Sequence, residues 1–251
     1  MQDKYVGDIG DFGKLGLLRC LAKTGLTIGV NWYHTLNDNN NKQKDGKYTE
    51  YLTRDDYKEK ELFQRCDCSL WKELKRIVES HHRQISSLEN SGLIDAVFWS
   101  MELDFSGQTP SKRVETRNQW HNDALQKLKD QDIVFVDPDN GLIVPSAEHT
   151  RRSNKYVLPE ELKDYYASDS SVIFYQHKAR KSDDEYREVF LNLLQTVSFP
   201  GASGLCFKFK KTSMRYYFFI IQPKHKLLIE SCIKEMMESP WNSLFEELEL
   251  T

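Results

Sequence analysis

Residues 133–141 have the sequence IVFVDPDNG, in which four apolar residues are followed directly by polar and turn-forming ones. A short apolar run that ends in this way is typical of a strand buried on both faces of a parallel sheet. Pro138 ends the strand, because proline cannot donate to a sheet ladder, and the Asn-Gly pair after it favours a tight turn. We expect Asp137, Asp139 and Asn140, at the carboxyl end of this strand, to be functional rather than only part of a turn.

Helical and strand patterns alternate through most of the chain. Short apolar runs at 26–33, 96–101 and 172–175 predict further buried strands, with helical spacing of apolar residues between them. Towards the end, 205–209 and 216–222 predict an antiparallel pair. This order implies an α/β, Rossmann-like fold, with a mainly parallel sheet, helices on both faces and a C-terminal antiparallel strand pair. In such sheets ligands bind beyond the carboxyl ends of the strands.

The composition fits one folded domain. The chain has 251 residues, of which 39% are hydrophobic, and we expect a single domain over 1–251 with a polar and partly helical insertion at about 37–92. Residues 37–65 carry many charges and few apolar anchors, so this part is expected to be mobile or to pack as an add-on. The net charge of -3 neither requires nor excludes a nucleic-acid partner, because such binding needs a basic face rather than a basic average.

Cysteine usage and the absence of apolar leader or membrane segments predict a cytoplasmic protein. The five cysteines form no disulfide framework, and Cys20, Cys206 and Cys232 lie in apolar runs, as small buried residues do. No run approaches the ~20 apolar residues of a membrane helix. The sequence does not indicate an oligomeric state.

A second polar segment, Gly7-Asp8-Ile9-Gly10-Asp11-Phe12-Gly13-Lys14, opens the helix predicted at 12–23. Glycines let a backbone approach a ligand closely, and a helix N-terminus attracts anions. Gly7, Asp8, Gly10, Asp11 and Lys14 are therefore candidates for cofactor binding, although Asp11 also suits a plain helix cap. The spacing matches neither the P-loop nor the dinucleotide fingerprint.

The two polar segments together carry a family resemblance. Gly7-x-x-x-Asp11-x-x-Lys14 resembles the G-N-x-A-D-x-x-K segment that opens the ribosomal RNA adenine-N6 methyltransferases with a DPPY active site, and residues 137–140 stand where DPPY should. The terminal strand pair is similar to the hairpin of S-adenosylmethionine methyltransferases generally. The resemblance implies S-adenosylmethionine as cofactor and a nucleic-acid or nucleotide substrate, whose amino group donates to Asp137 with help from Asn140.

This chain departs from that family at two places. Residues 31–35, Asn-Trp-Tyr-His-Thr, replace the Gly-rich loop after the first strand. Asp139 and Asn140 replace the second proline and the aromatic residue of DPPY, and with them the ring that stacks on a flipped base.

Further polar residues follow other predicted elements. His177 lies just beyond a strand, where it could contact phosphate or act as a general acid. Arg113 and Arg117 share one face of a helix and, with Arg180, are candidates for substrate binding. Basic residues around the last hairpin, including Arg215, are expected to form a solvated turn.

Two other functions remain open. In a metal-dependent nuclease or phosphodiesterase, Asp8, Asp11, Asp137 and Asp139 would hold Mg or Mn and His177 would protonate a leaving group. The third possibility is a catalytically inactive Rossmann module that binds a nucleotide or a partner. In each case we expect one cleft at the carboxyl edge of the sheet to gather seven residues: Asp8, Asp11, Lys14, Asp137, Asp139, Asn140 and His177.

Overall fold

The computed structural model describes residues 1–36, 46–212 and 214–250. Within these ranges the strands are β1 (Ile28–Asn31), β2 (Val97–Trp99), β3 (Ile133–Val136), β4 (Gly141–Leu142), β5 (Tyr156–Val157), β6 (Ser171–His177), β7 (Ser203–Phe209), β8 (Arg215–Ile221) and β9 (Phe245–Leu248). Seven of them form one sheet in the order β2-β1-β3-β6-β8-β7-β9, and β4 and β5 form a separate pair.

The direction of the strands confirms the predicted fold class. Strands β2, β1, β3 and β6 run parallel to one another. Strand β8 lies antiparallel between β6 and β7, so that β7 points the same way as the first four. The protein is therefore an α/β, Rossmann-like fold with a mainly parallel sheet and a C-terminal antiparallel pair. Strand β9, antiparallel to β7, was not expected, because its four residues include two glutamates.

Helices cover both faces of the sheet. They are α1 (Ile9–Ala22), α2 (Glu50–Thr53), α3 (Lys60–Cys66), α4 (Cys68–Glu79), α5 (Ile85–Glu89), α6 (Pro110–Leu128), α7 (Pro159–Ala167), α8 (Asp183–Thr196) and α9 (Lys226–Met237). The apolar residues of α1 to α5 and α9 join one buried cluster, and those of α6, α7 and α8 join the other. No helix in the described ranges is long and apolar enough to cross a bilayer.

The side-chain alternation of β3 shows why its four residues are all apolar. Ile133 and Phe135 belong to the core under α1, whereas Val134 and Val136 belong to the core under α6 and α7. Each of the four is fully buried, which contributes about 1.5–3 kcal/mol per side chain before entropy costs. The strand is thereby fixed at the centre of the sheet, and Asp137 follows it at the edge.

Two helix predictions needed correction. Helix α1 begins at Ile9 with Asp8 as its N-cap, three residues before the predicted start, so Asp11 lies in the first turn instead of capping the helix. Apolar residues at near-helical spacing over 71–88 predict one helix there, but the structure has two, because α4 ends at Glu79 and His81 adopts a φ of 60°. Asp8 is the N-cap residue because its side chain accepts a hydrogen bond from the Gly10 amide.

The predicted insertion at 37–92 is anchored more firmly than its charges indicate. Residues 37–45 lie outside the described ranges. Beyond them, Tyr51, Leu52 and Phe63 are fully buried, and α4 packs directly on α1. Phe12 of α1 contacts the rings of Tyr51 and Phe63 edge to face. The expectation of few apolar anchors is therefore corrected for this part, while the assignment of 1–251 to one domain stays a prediction.

Candidate functional site

A cavity of about 700 Å³, including its open mouth, lies at the carboxyl ends of β3 and β6. Its lining includes all seven residues expected to converge: Asp8, Asp11, Lys14, Asp137, Asp139, Asn140 and His177. The other lining residues are Met1, Tyr5, Gly46, Tyr48, Pro138, Tyr175 and Arg215.

The N-terminal segment reaches the cavity through a tight turn. Gly7 has a φ of +77°, a conformation that favours glycine, and Asp8 then caps α1. The Asp8 carboxylate accepts from the Gly10 amide at 3.0 Å and from the Tyr48 amide at 3.2 Å. These bonds hold the first turn of α1 against the segment that carries Tyr48. Asp8 and Tyr48 both line the cavity.

A buried ion-pair triad forms the wall between the two motifs. Nζ of Lys14 lies 2.9 Å from Oδ1 of Asp11 and 2.7 Å from Oδ2 of Asp137. The three side chains are at most 4% exposed. Burial alone would lower the pKa of Lys14, but the two carboxylates outweigh it and raise that pKa above its usual value. For Asp11 burial is the larger effect and raises its pKa despite the ammonium group.

The turn after β3 presents a carboxylate and an amide. Oδ2 of Asp139 accepts from Nε2 of Gln2 at 2.5 Å, and Nζ of Lys155 lies 3.7 Å away. Oδ1 of the same carboxylate is buried and has no hydrogen-bond donor among the described residues; the nearest charge is the amino group of Met1 at 3.4 Å. Asn140 is tied to β6 through its backbone carbonyl, which accepts from the His177 amide at 3.4 Å and from Nε2 of Gln176 at 3.0 Å, and its own amide donates to the Lys155 carbonyl.

The opposite wall comes from β6 and β8. Nδ1 of His177 lies 3.2 Å from the Tyr175 hydroxyl, and the Arg215 guanidinium lies 5.8 Å from the centre of the Tyr175 ring. Burial raises the pKa of Tyr175 to about 12, so this phenol stays neutral. A Cβ at Gly10 would lie 1.2 Å from Nη1 of Arg215, so the glycine gives the guanidinium room beside α1.

Arg215 corrects the prediction of a solvated turn. It is buried, opposite His177 in the antiparallel register of β6 and β8. Burial alone would lower its pKa, but nearby Tyr175, Tyr217 and Asp8 raise it overall. Sequence reasoning missed both Arg215 and Tyr48. The hairpin register was the signal that could have found Arg215, and no local signal indicated Tyr48.

The predicted substrate-binding arginines lie outside the lining of the cavity. Arg117 is buried in a two-pronged ion pair with Glu161, at 2.7 Å for each contact, and also donates to two backbone carbonyls. These bonds use four of its five N–H groups inside the protein, and its role in substrate binding stays a prediction. Arg113 donates to the His149 carbonyl at 2.9 Å, and Arg180 is exposed in the loop after β6.

Bulky, packed residues follow β1 at the place where the resemblance to S-adenosylmethionine methyltransferases would require a Gly-rich loop. Trp32 and Tyr33 follow β1 and are fully buried. The amino group of Met1 donates to the carbonyls of Tyr33 and Asp137, both at 2.9 Å, and so bridges the carboxyl ends of β1 and β3. S-adenosylmethionine in its usual pose does not fit these residues as they are arranged.

A metal ion does not fit the carboxylates either. No group of three His, Cys, Asp or Glu side chains in the described ranges is arranged to hold one. The Lys14 ammonium lies between Asp11 and Asp137, and Asp8 uses its oxygens on backbone amides. The positions that a bridging Mg or Mn would need are therefore taken by the chain's own cation and donors.

Comparison with known proteins finds remote neighbours among the solved structures. No protein-family model matches the chain, and no curated protein matches it. A solved structure that resembles it is that of protein LPL1258 from Legionella pneumophila str. Philadelphia 1, described under the family DUF519. The two share 13% identity over 96% of each chain, with a TM-score of 0.45. The fold assignment therefore rests on the strand order and directions described above.

Proposed function

We propose that this chain is a methyltransferase-like protein whose cavity binds an amino-bearing nucleobase, presented by nucleic acid or by a free nucleotide. The observation that carries the proposal is the 2.7 Å ion pair between Lys14 and Asp137. Lys14 ends the N-terminal motif and Asp137 begins the strand-end motif, the two motifs on which the resemblance to adenine-N6 methyltransferases rests. They are 123 residues apart in sequence and meet at the wall of one cavity.

The cavity offers the acceptors that an exocyclic amino group needs. Asp137 lies on the wall with Lys14 fixing its Oδ2, and Oδ1 of Asp139 is buried and accepts no hydrogen bond from the part of the chain that the structure describes. Asn140 carries both a donor and an acceptor, as does the hydrogen-bonding edge of adenine or cytosine. Three aromatic rings on which a base can stack complete the lining: Tyr5, Tyr48 and Tyr175.

Methylation of the amino group with S-adenosylmethionine is the reaction that the resemblance implies. In an active enzyme, Asp137 would accept a hydrogen bond from the target amino group and so direct its nitrogen lone pair away from the ring plane. In an inactive module, the base is held in the same way and no donor binds. The contacts of the Met1 amino group with the carboxyl ends of β1 and β3 favour the inactive form.

Titration calorimetry with matched nucleotides tests base recognition. Adenosine monophosphate carries the exocyclic amino group, and inosine monophosphate has a carbonyl oxygen in its place. We expect adenosine monophosphate to bind about tenfold tighter or more, since a hydrogen bond to a carboxylate contributes roughly 1.5–3 kcal/mol. Asp137→Asn should abolish the difference. Equal affinity for the two nucleotides in the wild type, or no binding of either, would contradict the proposal.

Parallel titrations separate the active form from the inactive one. Heat or a thermal shift with S-adenosylmethionine or S-adenosylhomocysteine would identify a methyl-donor site and require Met1 to leave the carboxyl ends of β1 and β3. If neither ligand gives heat or a thermal shift and adenosine monophosphate binds, the protein is a binding module. A nuclease would instead cleave a labelled oligonucleotide only with Mn²⁺ or Mg²⁺ present, and would lose that cleavage in Asp137→Asn.

A further inference from the structure

Two cysteines from different helices touch at the surface, away from the cavity. Cys20 lies in the last turn of α1 and Cys232 in the middle of α9, two helices that pack on each other. Their Sγ atoms are 3.0 Å apart, and both are free thiols. Sulfur atoms already in contact need side-chain rotation, not movement of the helices, to reach bonding geometry.

The pair is open to a small reagent. Cys20 is half-buried, in contrast to the expectation that it is a buried residue, and Cys232 is buried as expected. Both line one surface groove, of about 1040 Å³ including open solvent, together with Lys23 and Cys66. Cys206 is enclosed in the core on the other face of the sheet. When this groove is oxidised, Cys20 and Cys232 are therefore already in contact, and Cys66 can compete for either of them.

We propose that Cys20 and Cys232 are a modification site, at which an intramolecular disulfide forms reversibly and clamps α1 to α9. The oxidant is a low-molecular-weight disulfide of the glutathione type. The Cys20 thiolate attacks one sulfur of that disulfide, forms a mixed disulfide and releases one thiol. The Cys232 sulfur, losing its proton to solvent, then attacks Cys20 Sγ and releases the second thiol, so two protein thiols become one disulfide and the oxidant is reduced to two thiols.

Two further observations support this order of attack and its consequence. The hydrogen bond with the Cys232 thiol lowers the pKa of Cys20, which increases the fraction of reactive thiolate. Helix α1 also carries Asp11 and Lys14, so a clamp at its last turn holds the helix that supplies one wall of the cavity.

Thiol counting after oxidation tests the proposal. The reduced protein is equilibrated with oxidised glutathione, quenched with acid, unfolded and titrated for free thiols. We expect the count to fall from the five of the sequence to three, the intact mass to fall by about 2 Da, and a proteolytic digest to contain one peptide pair joined through Cys20 and Cys232. Reduction with dithiothreitol should restore the reduced mass and the thiols.

Variants separate this disulfide from other oxidation products. Cys20→Ser and Cys232→Ser should keep all their remaining thiols or stop at a glutathione adduct, whereas Cys206→Ser should oxidise like the wild type. The melting temperature should rise on oxidation in the wild type and in Cys206→Ser, and stay unchanged in Cys20→Ser. Three results with the wild type would overturn the proposal: a digest in which Cys20 is joined to Cys66, a stable glutathione adduct on Cys20, or five unreacted thiols. Because these results come from the wild-type protein, they do not depend on any variant folding.

Discussion

Replacing Lys14 by Met should cost about 3–5 kcal/mol of the free energy of unfolding at pH 7, the range for removing one partner of a buried ion pair. Methionine retains most of the apolar stem, so the loss reports mainly on the charge. In the wild type one ammonium group compensates two carboxylates, those of Asp11 and Asp137, at 2.9 and 2.7 Å. Without it, two buried anions face each other and have no cation between them.

The cost should depend on pH in a defined direction. Burial raises the pKa of Asp11 even with Lys14 present, and removing the ammonium raises it further. A carboxyl group whose pKa is raised on folding contributes stability below its unfolded pKa of about 3.9, and that stability is lost as the pH rises through the folded pKa. The deficit of Lys14→Met is therefore largest near neutral pH and shrinks towards pH 4.

Urea denaturation followed by tryptophan fluorescence at pH 7 and at about pH 4.5 measures both effects. Lys112→Met is the matched control: its ammonium pairs with Glu115 at 3.0 Å on the exposed face of α6, where loss of a pair changes stability by at most about 1 kcal/mol. Adding Asp11→Asn to Lys14→Met should recover part of the loss, since it removes one of the two anions. A deficit below about 1 kcal/mol, or one of equal size at both pH values, would refute the assignment of a desolvated triad.

Three further variants test other parts of the structure. Asp137→Asn should destabilise less than Lys14→Met, because Lys14 keeps Asp11, while the affinity for adenosine monophosphate measured by calorimetry falls about tenfold or more. Arg117→Met should lower the free energy of unfolding, measured by urea denaturation, by about 3–5 kcal/mol, because it leaves the buried Glu161 carboxylate without its cation. Nucleotide affinity should not change. Burial alone would raise the pKa of Glu161, but Arg117 holds that pKa below its usual value. The ion pair therefore contributes to the free energy of unfolding above about pH 4.3, and this contribution is lost as the pH falls through the lowered pKa. Gly10→Ala should cost about 1–3 kcal/mol and weaken nucleotide binding, because the new Cβ collides with the Arg215 guanidinium; unchanged stability would mean that Arg215 lies elsewhere.

The sequence predicted the parts of the fold and cavity that depend on local patterns. Strand β3 matches its predicted bounds, because burial on both faces leaves an uninterrupted apolar run between polar ends. The carboxyl ends of parallel strands share one edge, so Asp137 and His177 could be assigned to one side of the sheet before any geometry was known.

The remaining parts depend on contacts between distant segments. The periodicity of α6 placed Arg117 on a helix face but could not identify Glu161, 44 residues away, as its partner. Arg215 stands among lysines that indicate a solvated turn, and only the pairing of β8 with β6 brings it opposite His177. The cap of α1 illustrates the same limit, since both Asp8 and Asp11 suit a cap, and the bond that Asp8 accepts from the Tyr48 amide, 40 residues away, has no local sequence signal.

The charges around the cavity favour a neutral base over a phosphate or a metal ion as the ligand that we propose. Four carboxylates line it, those of Asp8, Asp11, Asp137 and Asp139. Four cations lie against them: Lys14, Arg215, Lys155 and the amino group of Met1. Because each of these carboxylates already lies beside a cation of the chain, a bound metal ion or phosphate would have to compete with the protein's own ion pairs. Polar groups held at fixed positions instead select a ligand by its pattern of donors and acceptors. We propose that the cavity distinguishes an amino-bearing base from its carbonyl analogue on this basis.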